Sequence, residues 1–398
     1  MKIAFITPGF VPVPAVKGGA IERLMTYLIE QNEDANEFDI DLYTVDHPKL
    51  KNIKFKNTKI NKIKLNKIEE IYNRLFNHFF WRFNVEKSFN QYGRKTLKEL
   101  LKNKYDYILI ENNMYIYKEI YSKIIKKYPN TKFIFHLHND IGKVDKPNSL
   151  CKYILNTATT VLTCSEYLKN RLESICKTNN VKVLYNVIDF SNMNYNEEER
   201  KKIRKQYDIE NNFVYGYIGR ISKEKGVLEL IRAYKKVVKN NNNVKLMIIG
   251  DTLFNNSKNK YCMDIEKEIS DIKDSIILAG SIKNELINNY MSAVDALVIP
   301  TICEEAFGIV AAEGLACERP IVATKSGGML EILNDKNSLL IDKSNIVSNL
   351  EEALINVLEN KDEYTKKSKV GKSTLINNDN FHCKYYLKNF CNLIKKGM

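Results

Sequence analysis

The sequence predicts an α/β protein made of two doubly wound domains that face each other across a cleft. Apolar runs of strand length alternate with helical patterns along most of the 398 residues. The runs are continuously apolar, which is typical of parallel strands covered on both faces. They are also about twice as numerous as the strands of one ordinary sheet, so we assign two sheets.

The predicted strands fall into two sets of six. The first set is 3–7, 40–44, 107–110, 133–137, 161–164 and 181–184, and the second is 214–218, 246–249, 276–278, 296–299, 321–323 and 339–341. Helical patterns between them include 22–31, 227–239, 283–291 and 309–316.

The polar stretch 192–212 separates the two sets and is expected to be a linker with a charged helix. The predicted domains are therefore 1–190 and 191–379. Apolar residues spaced along the last twenty positions predict a final amphipathic helix within 380–398, which we expect to pack back on the first domain.

Composition excludes several classes of protein. Apolar residues are 44% and charged residues 28% of the chain, as in folded globular proteins. No stretch of 18 uncharged apolar residues is present, so no membrane-spanning helix is expected. Prolines 8, 12 and 14 interrupt the apolar start, which argues against a signal peptide, and the eight cysteines form no C-x-x-C pair. These features predict a cytoplasmic protein with free thiols.

The net charge of +14 is concentrated in one segment. Residues 49–104 hold sixteen Lys and Arg against four Glu, a local +12. One basic segment favours a single anionic contact surface over a nucleic-acid protein, although an AT-rich genome would also enrich lysine. Within it, 68–83 forms an apolar helical stripe beside Trp81. This stripe either faces an anionic membrane or lipid-linked acceptor, or packs onto the first sheet.

Glycine turns follow strands in both halves. Gly18 and Gly19 precede the first helix, where they either form a tight turn or let the backbone approach an anion. After the strand 214–218, Arg220 and Lys225 occupy a loop that ends in Gly226. A guanidinium and an ammonium suit a diphosphate, but both could also be surface charges.

The segment 300–316 is the most informative. Glu313 lies among Ile, Val, Ala and Leu on a predicted helix, so its carboxylate needs a basic partner or a polar ligand. Gly308 precedes that helix and exposes N–H groups that can meet phosphate or sugar oxygens, and Glu305 stands just before it. A second glycine turn, 326–328, leads to Glu331.

Together these motifs resemble the retaining glycosyltransferases of family 4, which have the GT-B fold of two Rossmann-like domains. The matching residues are Glu305-x7-Glu313 with Phe307-Gly308 inside it, Gly219-Arg220 with Lys225-Gly226, Gly18-Gly19, and Gly327-Gly328 with Glu331. The stretch 186–189 is similar to the family's interdomain Asn-Gly-x-Asp motif, with Val187 in place of the glycine.

The resemblance implies roles for individual residues. Arg220 and Lys225 would bind the donor diphosphate, and Glu313 the ribose hydroxyls. Glu305 and His138 would contact the donor sugar. The remaining donor-binding assignments are Gly18 and Gly19 near the phosphate, the backbone around Phe307, Gly308, Ile309 and Val310, and Ile282 near the base.

The implied reaction moves a hexose or N-acetylhexosamine from a nucleotide-diphosphate sugar, with UDP expected, to a saccharide or lipid-linked acceptor in bacterial surface-polysaccharide synthesis. No metal or other cofactor is expected: the Asp39-Ile40-Asp41 pattern is assigned to a strand, and His136 and His138 have no third ligand nearby in sequence. The rival interpretations are a nucleotide-sugar epimerase of similar fold and a non-enzymatic polyanion-binding or membrane-binding protein.

Overall fold

The structure is a computed structural model that describes residues 1–69, 71, 90–141, 148–251 and 260–395. The chain forms two compact units: unit 1 is Met1–Tyr185 with Lys384–Met398, and unit 2 is Asn186–Cys383. The sequence placed the first boundary after residue 190 and the end of the second domain at 379. In the structure, the second unit thus begins five residues earlier than predicted and ends four residues later.

Unit 1 is built on a parallel sheet of seven strands. The strands are β1 (Lys2–Ile6), β2 (Asp39–Val45), β3 (Thr58–Ile63), β4 (Tyr107–Glu111), β5 (Lys132–Leu137), β6 (Thr160–Thr163) and β7 (Val181–Val183), in the order β3-β2-β1-β4-β5-β6-β7. The described helices are α1 (Ala20–Ala35), α2 (Gln91–Leu100), α3 (Met114–Lys127), α4 (Ser149–Thr157), α5 (Glu166–Ile175) and α13 (Tyr386–Lys395). The order places the carboxyl ends of β1, β4 and β5 next to one another.

The sequence analysis missed β3 because it is not an apolar run. Its sequence is TKINKI, with Lys59 and Lys62 exposed, and among the described strands it pairs with β2 alone, at the edge of the sheet. Lysines on an edge strand discourage pairing with another chain. Only Thr58 and Ile63 of this strand are buried, whereas the inner strands are almost continuously buried.

Unit 2 holds a parallel sheet of six strands. They are β8 (Phe213–Ile218), β9 (Val244–Ile249), β10 (Ile276–Gly280), β11 (Ala296–Ile299), β12 (Ile321–Thr324) and β13 (Leu339–Ile341), in the order β10-β9-β8-β11-β12-β13. The described helices are α6 (Glu197–Gln206), α7 (Val227–Asn240), α8 (Lys260–Ile269), α9 (Ile287–Ala293), α10 (Ile309–Ala316), α11 (Ile346–Glu359) and α12 (Lys361–Ile376). Every strand predicted from the sequence is present in one of the two sheets.

The stretch 192–212, expected to be a linker, belongs to unit 2. Its charged helix α6 is fixed because Arg200 and Arg204 both bind the carboxylate of buried Asp295, with Arg200 Nη2 2.7 Å from Asp295 Oδ1. Arg204 also donates to the carbonyl of Ala293 at 2.9 Å. A buried carboxylate needs such partners, so α6 is part of this unit's packing.

The C-terminal helix α13 packs in unit 1 against α1, at the opposite end of the chain. Phe390 lies edge-on to Phe5 and Phe38, with ring centroids 6.3 and 6.1 Å away. Such contacts between aromatic edges and faces stabilise a core beyond simple burial. None of the described helices is long and apolar enough to cross a bilayer.

Candidate active site

The carboxyl ends of four strands of unit 2 gather a polar cluster. Lys225 follows β8, and Glu305 follows β11; Lys225 Nζ lies 2.5 Å from Glu305 Oε1. The two side chains keep 24% and 16% of their surface exposed, so this pair is accessible from solvent. In α/β sheets this edge is where ligands bind.

Two glycines permit this geometry. Gly226 ends the Lys225 loop in a left-handed conformation (φ +69°), and a Cβ there would lie 1.9 Å from the carbonyl oxygen of Pro300. Gly308 is the N-cap of α10 with φ +85°, and a Cβ would lie 2.8 Å from Met329 Cγ. A side chain at Gly226 would push its loop away from Pro300, and one at Gly308 would displace the side chain of Met329.

A second acid–base pair lies beside the first and was not predicted from the sequence. Lys343, after β13, is 2.6 Å from Glu304 Oε1, and Glu304 Oε2 accepts a hydrogen bond from the Gly327 N–H at 2.6 Å. Ser326 Oγ accepts from the Glu305 N–H at 2.9 Å. These bonds join the loops that follow β11, β12 and β13. The signal that could have revealed Lys343 is its position two residues past a parallel strand.

The other residues assigned to this half lie after β8 and β10, on the loop before α10 and on α10 itself. Arg220 follows β8, is half exposed and is 3.7 Å from Glu224. Glu313 is buried on α10, Phe307 is buried beside Phe381, and Ile282 is partly buried after β10. Because the N-cap of α10 is Gly308, no cap side chain occupies the N–H groups of Ile309 and Val310 at the start of this helix.

In unit 1, the glycine turn after β1 leaves room for the side chain of Glu22. Gly19 has φ +102°, and a Cβ there would lie 2.1 Å from Glu22 Oε2, whereas a Cβ on Gly18 (φ +78°) would meet nothing within 4 Å. Glu22 is buried on the first turn of α1. Its burial and the charge of Glu111 raise the pKa of Glu22, against the lowering effects of its backbone N–H and of His138.

A buried cluster of three side chains lies at the carboxyl ends of β4 and β5. His138 Nε2 is 2.8 Å from Glu111 Oε2, and His136 Nδ1 is 3.3 Å from Glu111 Oε1. Glu111 and His136 are direct neighbours in the parallel register. The sequence analysis singled out both histidines but missed Glu111, which lies 25 positions before His136.

These three residues form a donor set that could hold a metal, since their ligand atoms lie within 4.8 Å of one another. The sequence analysis found no third ligand nearby in sequence, and the fold brings Glu111 to the two histidines from 25 positions before His136. Imidazoles bound to a metal normally donate their other N–H to a partner. In the described part of the chain, Nε2 of His136 has no hydrogen-bond partner.

The turn 186–189 forms without a glycine. Val187 is buried and is not among the residues with positive φ. The Asp189 carboxylate accepts hydrogen bonds from Ser191 N at 3.1 Å and Asn192 Nδ2 at 2.6 Å. Valine is therefore compatible with the backbone of this turn.

Part of the chain that includes most of unit 2 is similar to a known protein family. Residues 199–374 match the family model described as "Glycosyl transferases group 1". This part of the chain is therefore similar to the group 1 glycosyl transferases. The match includes Arg220, Lys225, Glu305 and Glu313, so the polar cluster of unit 2 lies within the family's characteristic segment.

Two curated relatives are bacterial transferases. The chain is 29% identical over 231 residues to the lipopolysaccharide 1,2-N-acetylglucosaminetransferase of Salmonella typhimurium, and the match covers 57% of each protein. It is 28% identical over 218 residues to the capsular polysaccharide biosynthesis glycosyltransferase CapM of Staphylococcus aureus, covering 52% of this chain and 54% of CapM. The chain thus spans just over half the length of these relatives.

A solved structure matches over the full length. HepE from Anabaena, crystallised with UDP-glucose, superposes with a TM-score of 0.74 at 18% identity, and the match covers all of both chains. The prediction of a GT-B fold with two Rossmann-like α/β domains is confirmed.

Proposed function

We propose that this protein is a retaining glycosyltransferase. It transfers a hexose or N-acetylhexosamine from a UDP-sugar to a saccharide acceptor, carried on a lipid, during synthesis of a bacterial surface polysaccharide. The proposal rests on the similarity to the group 1 glycosyl transferases, on the polar cluster at the sheet edge of unit 2, and on relatives named for lipopolysaccharide and capsule synthesis.

The observation that carries the proposal is the placement of Arg220 and Lys225 on one loop after β8, with Lys225 paired to Glu305. Breaking the sugar–phosphate bond leaves negative charge on the departing diphosphate. A cation ~4 Å from a phosphate at an effective dielectric of ~20 contributes about 4 kcal/mol before desolvation costs. Two such cations supply a large part of the stabilisation that leaving-group departure needs.

Glu305 acts both before and after the donor binds in this scheme. Before the donor arrives, it neutralises Lys225 and holds its ammonium in place. When the diphosphate engages Lys225, the carboxylate accepts hydrogen bonds from donor-sugar hydroxyls. Glu313 holds the ribose hydroxyls, and the N–H groups that begin α10 face the oxygens of the donor.

Retention places the acceptor hydroxyl on the face that the diphosphate leaves. A phosphate oxygen takes the acceptor proton as the new glycosidic bond forms and the sugar–phosphate bond breaks. A dedicated side-chain base is then unnecessary. His138 contributes a further polar group at the donor sugar.

UDP is the donor nucleotide that we propose, with support from the HepE complex, whose ligand is UDP-glucose. We further propose that no divalent ion is needed at the diphosphate. Arg220 and Lys225 already supply cationic charge at that place, and they do so without the coordination that a metal would require.

The anionic surface of a membrane is the proposed partner of the basic segment 49–104. The described part of this segment supports it: edge strand β3 carries exposed Lys59 and Lys62, and Ile68 and Ile71 follow with 64% and 54% exposure. Exposed apolar residues next to lysines suit an anionic lipid surface. Most of the predicted stripe 68–83, including Trp81, lies outside the described residues. Peripheral binding to the cytoplasmic face of the membrane would bring the enzyme to a lipid-linked acceptor.

A donor screen tests the proposal. Purified protein is incubated with UDP- and GDP-sugars and lipid-linked saccharides, and nucleoside diphosphate release is measured together with the glycan product. We expect UDP release coupled to a lengthened acceptor. Conversion of the donor sugar to its epimer without UDP release would instead identify the epimerase, and the absence of both reactions would contradict the proposal.

A further inference from the structure

Unit 1 buries a carboxylate between two imidazoles at the sheet edge where its strands end. Glu111, His136 and His138 are all buried, and both rings contact the same carboxylate. The ring centroids of the histidines are 3.9 Å apart. Such a cluster is costly to bury unless each polar contact is made, so its geometry requires an explanation.

The charge state of Glu111 determines which ring nitrogens carry protons. Burial alone would raise the pKa of Glu111, but the adjoining His136 and His138 rings lower the pKa to about 2. An ionised carboxylate only accepts hydrogen bonds. Nδ1 of His136 and Nε2 of His138 must therefore both be N–H donors. The carboxylate thus selects one tautomer for each ring when the ring is neutral.

The backbone leading into His138 is fixed by Asn112, the residue next to Glu111. Asn112 has a left-handed conformation (φ +48°), and its N–H donates to the His136 carbonyl at 2.8 Å. Its side-chain oxygen accepts from the His138 N–H at 2.9 Å. The Glu111–Asn112 pair therefore holds both the main chain and the ring of His138.

Other titratable groups interact electrostatically with the cluster. Glu22 on α1 interacts with Glu111 and His138, and Tyr386 on α13 interacts with Glu111 and Cys164. Burial raises the pKa of Tyr386 well above its ordinary value, so this phenol stays neutral. Glu111 is the group that bonds directly to both rings.

We propose that Glu111 is a positioning residue that holds His138 in one ring orientation, with a proton on Nε2, for its work at the donor sugar. This inference rests on the proposed glycosyltransferase function. Glu111 makes no contact with substrate in this scheme and acts through His138. His136 shares the carboxylate and keeps it from rotating away.

Glu111→Gln tests the inference with nearly the same volume. The amide oxygen accepts one N–H, but the amide NH₂ must donate to the other ring, so one imidazole has to change its tautomer. We expect kcat to fall about 100-fold, as for misplacement of a reacting group by about 1 Å, with the donor KM changed by less than about threefold. Asp41→Asn is the matched control, because Asp41 is a buried carboxylate of the same sheet that bonds Tyr105 at 2.7 Å. Its kcat should be unchanged.

A double-mutant cycle separates positioning from other roles. If Glu111 acts through His138, adding Glu111→Gln to His138→Ala should slow turnover no further. Additive losses would overturn the inference. So would a stoichiometric metal in the purified protein that is lost in Glu111→Gln, because the ring nitrogens would then be ligands and not hydrogen-bond donors.

Nitrogen NMR of labelled histidines gives a readout that does not depend on catalysis. The chain has five histidines, and the His138→Ala spectrum identifies the His138 signal. We expect a protonated Nε2 in the wild type and a changed protonation pattern in Glu111→Gln. Unchanged signals of all five histidines in that variant would refute the positioning role. If no donor is turned over by the wild type, the proposed function fails, whereas the spectra still decide whether Glu111 sets the ring.

Discussion

Lys225→Ala removes one of the two cations proposed to stabilise the leaving diphosphate. At ~4 Å and an effective dielectric of ~20, that cation contributes about 4 kcal/mol before desolvation costs. Loss of one such group typically lowers turnover by about 10²–10³-fold. The effect on folding should be small, because the pair with Glu305 is partly exposed and such pairs stabilise by about 1 kcal/mol or less. The predicted result is a large loss of kcat with a minor change in thermal stability.

Lys372→Ala is the matched control for this variant. Lys372 pairs with Glu318 at 2.8 Å, and the two side chains are 19% and 27% exposed, close to the values for Lys225 and Glu305. No part of the proposed donor site includes Lys372. Both proteins are compared by UDP release at saturating donor and by thermal unfolding. Equal kcat for Lys225→Ala and Lys372→Ala would refute the assignment of Lys225 to the leaving group.

Three further predictions concern the metal, a glycine and the membrane. Sugar transfer should survive EDTA; loss on chelation with recovery in Mg²⁺ or Mn²⁺ would contradict the metal-free proposal. Gly226→Ala should lower the free energy of unfolding by more than the ~1–2 kcal/mol that a left-handed residue costs, because its Cβ would meet the Pro300 carbonyl. Gly280→Ala is the control: Gly280 also has a left-handed φ of +71°, but its Cβ would meet nothing within 4 Å, so it should show the backbone cost alone. Equal urea midpoints for the two variants would contradict the predicted contact. The protein should co-sediment with anionic liposomes at low salt, and Ile68→Ser/Ile71→Ser should weaken this binding; wild type remaining in the supernatant would refute the membrane partner.

The fold was predictable because buried parallel strands are apolar on both faces. Every such run in the sequence became a strand, and α10 has the predicted bounds. The lysine-bearing β3 was missed because an edge strand needs only one buried face and has little apolar signal. The charged helix predicted within 192–212 is present as α6, but its packing within unit 2 was not predictable. The partner of Arg200 and Arg204 is Asp295, about ninety residues away, and no local pattern shows that pairing.

The candidate site was predictable where one motif carries several of its residues. Arg220 and Lys225 share a loop, and Glu305, Gly308 and Glu313 share another segment, so strand-end position and spacing identify them. Residues contributed singly by separate strands are harder to find. Glu111 meets His136 and His138 only through the pairing of β4 with β5, and Lys343 meets Glu304 only through the loops after β11 and β13.

The configuration of the product tests the central claim most directly. Protein is incubated with a UDP-α-sugar and its saccharide acceptor, and the anomeric proton of the new linkage is assigned by NMR while UDP release is followed. The account predicts one UDP released per sugar transferred and an α-linkage in the product. A β-linkage would contradict the retaining mechanism, and transfer without UDP release would contradict the assignment of the cluster around Lys225 and Glu305 to a nucleotide-sugar donor.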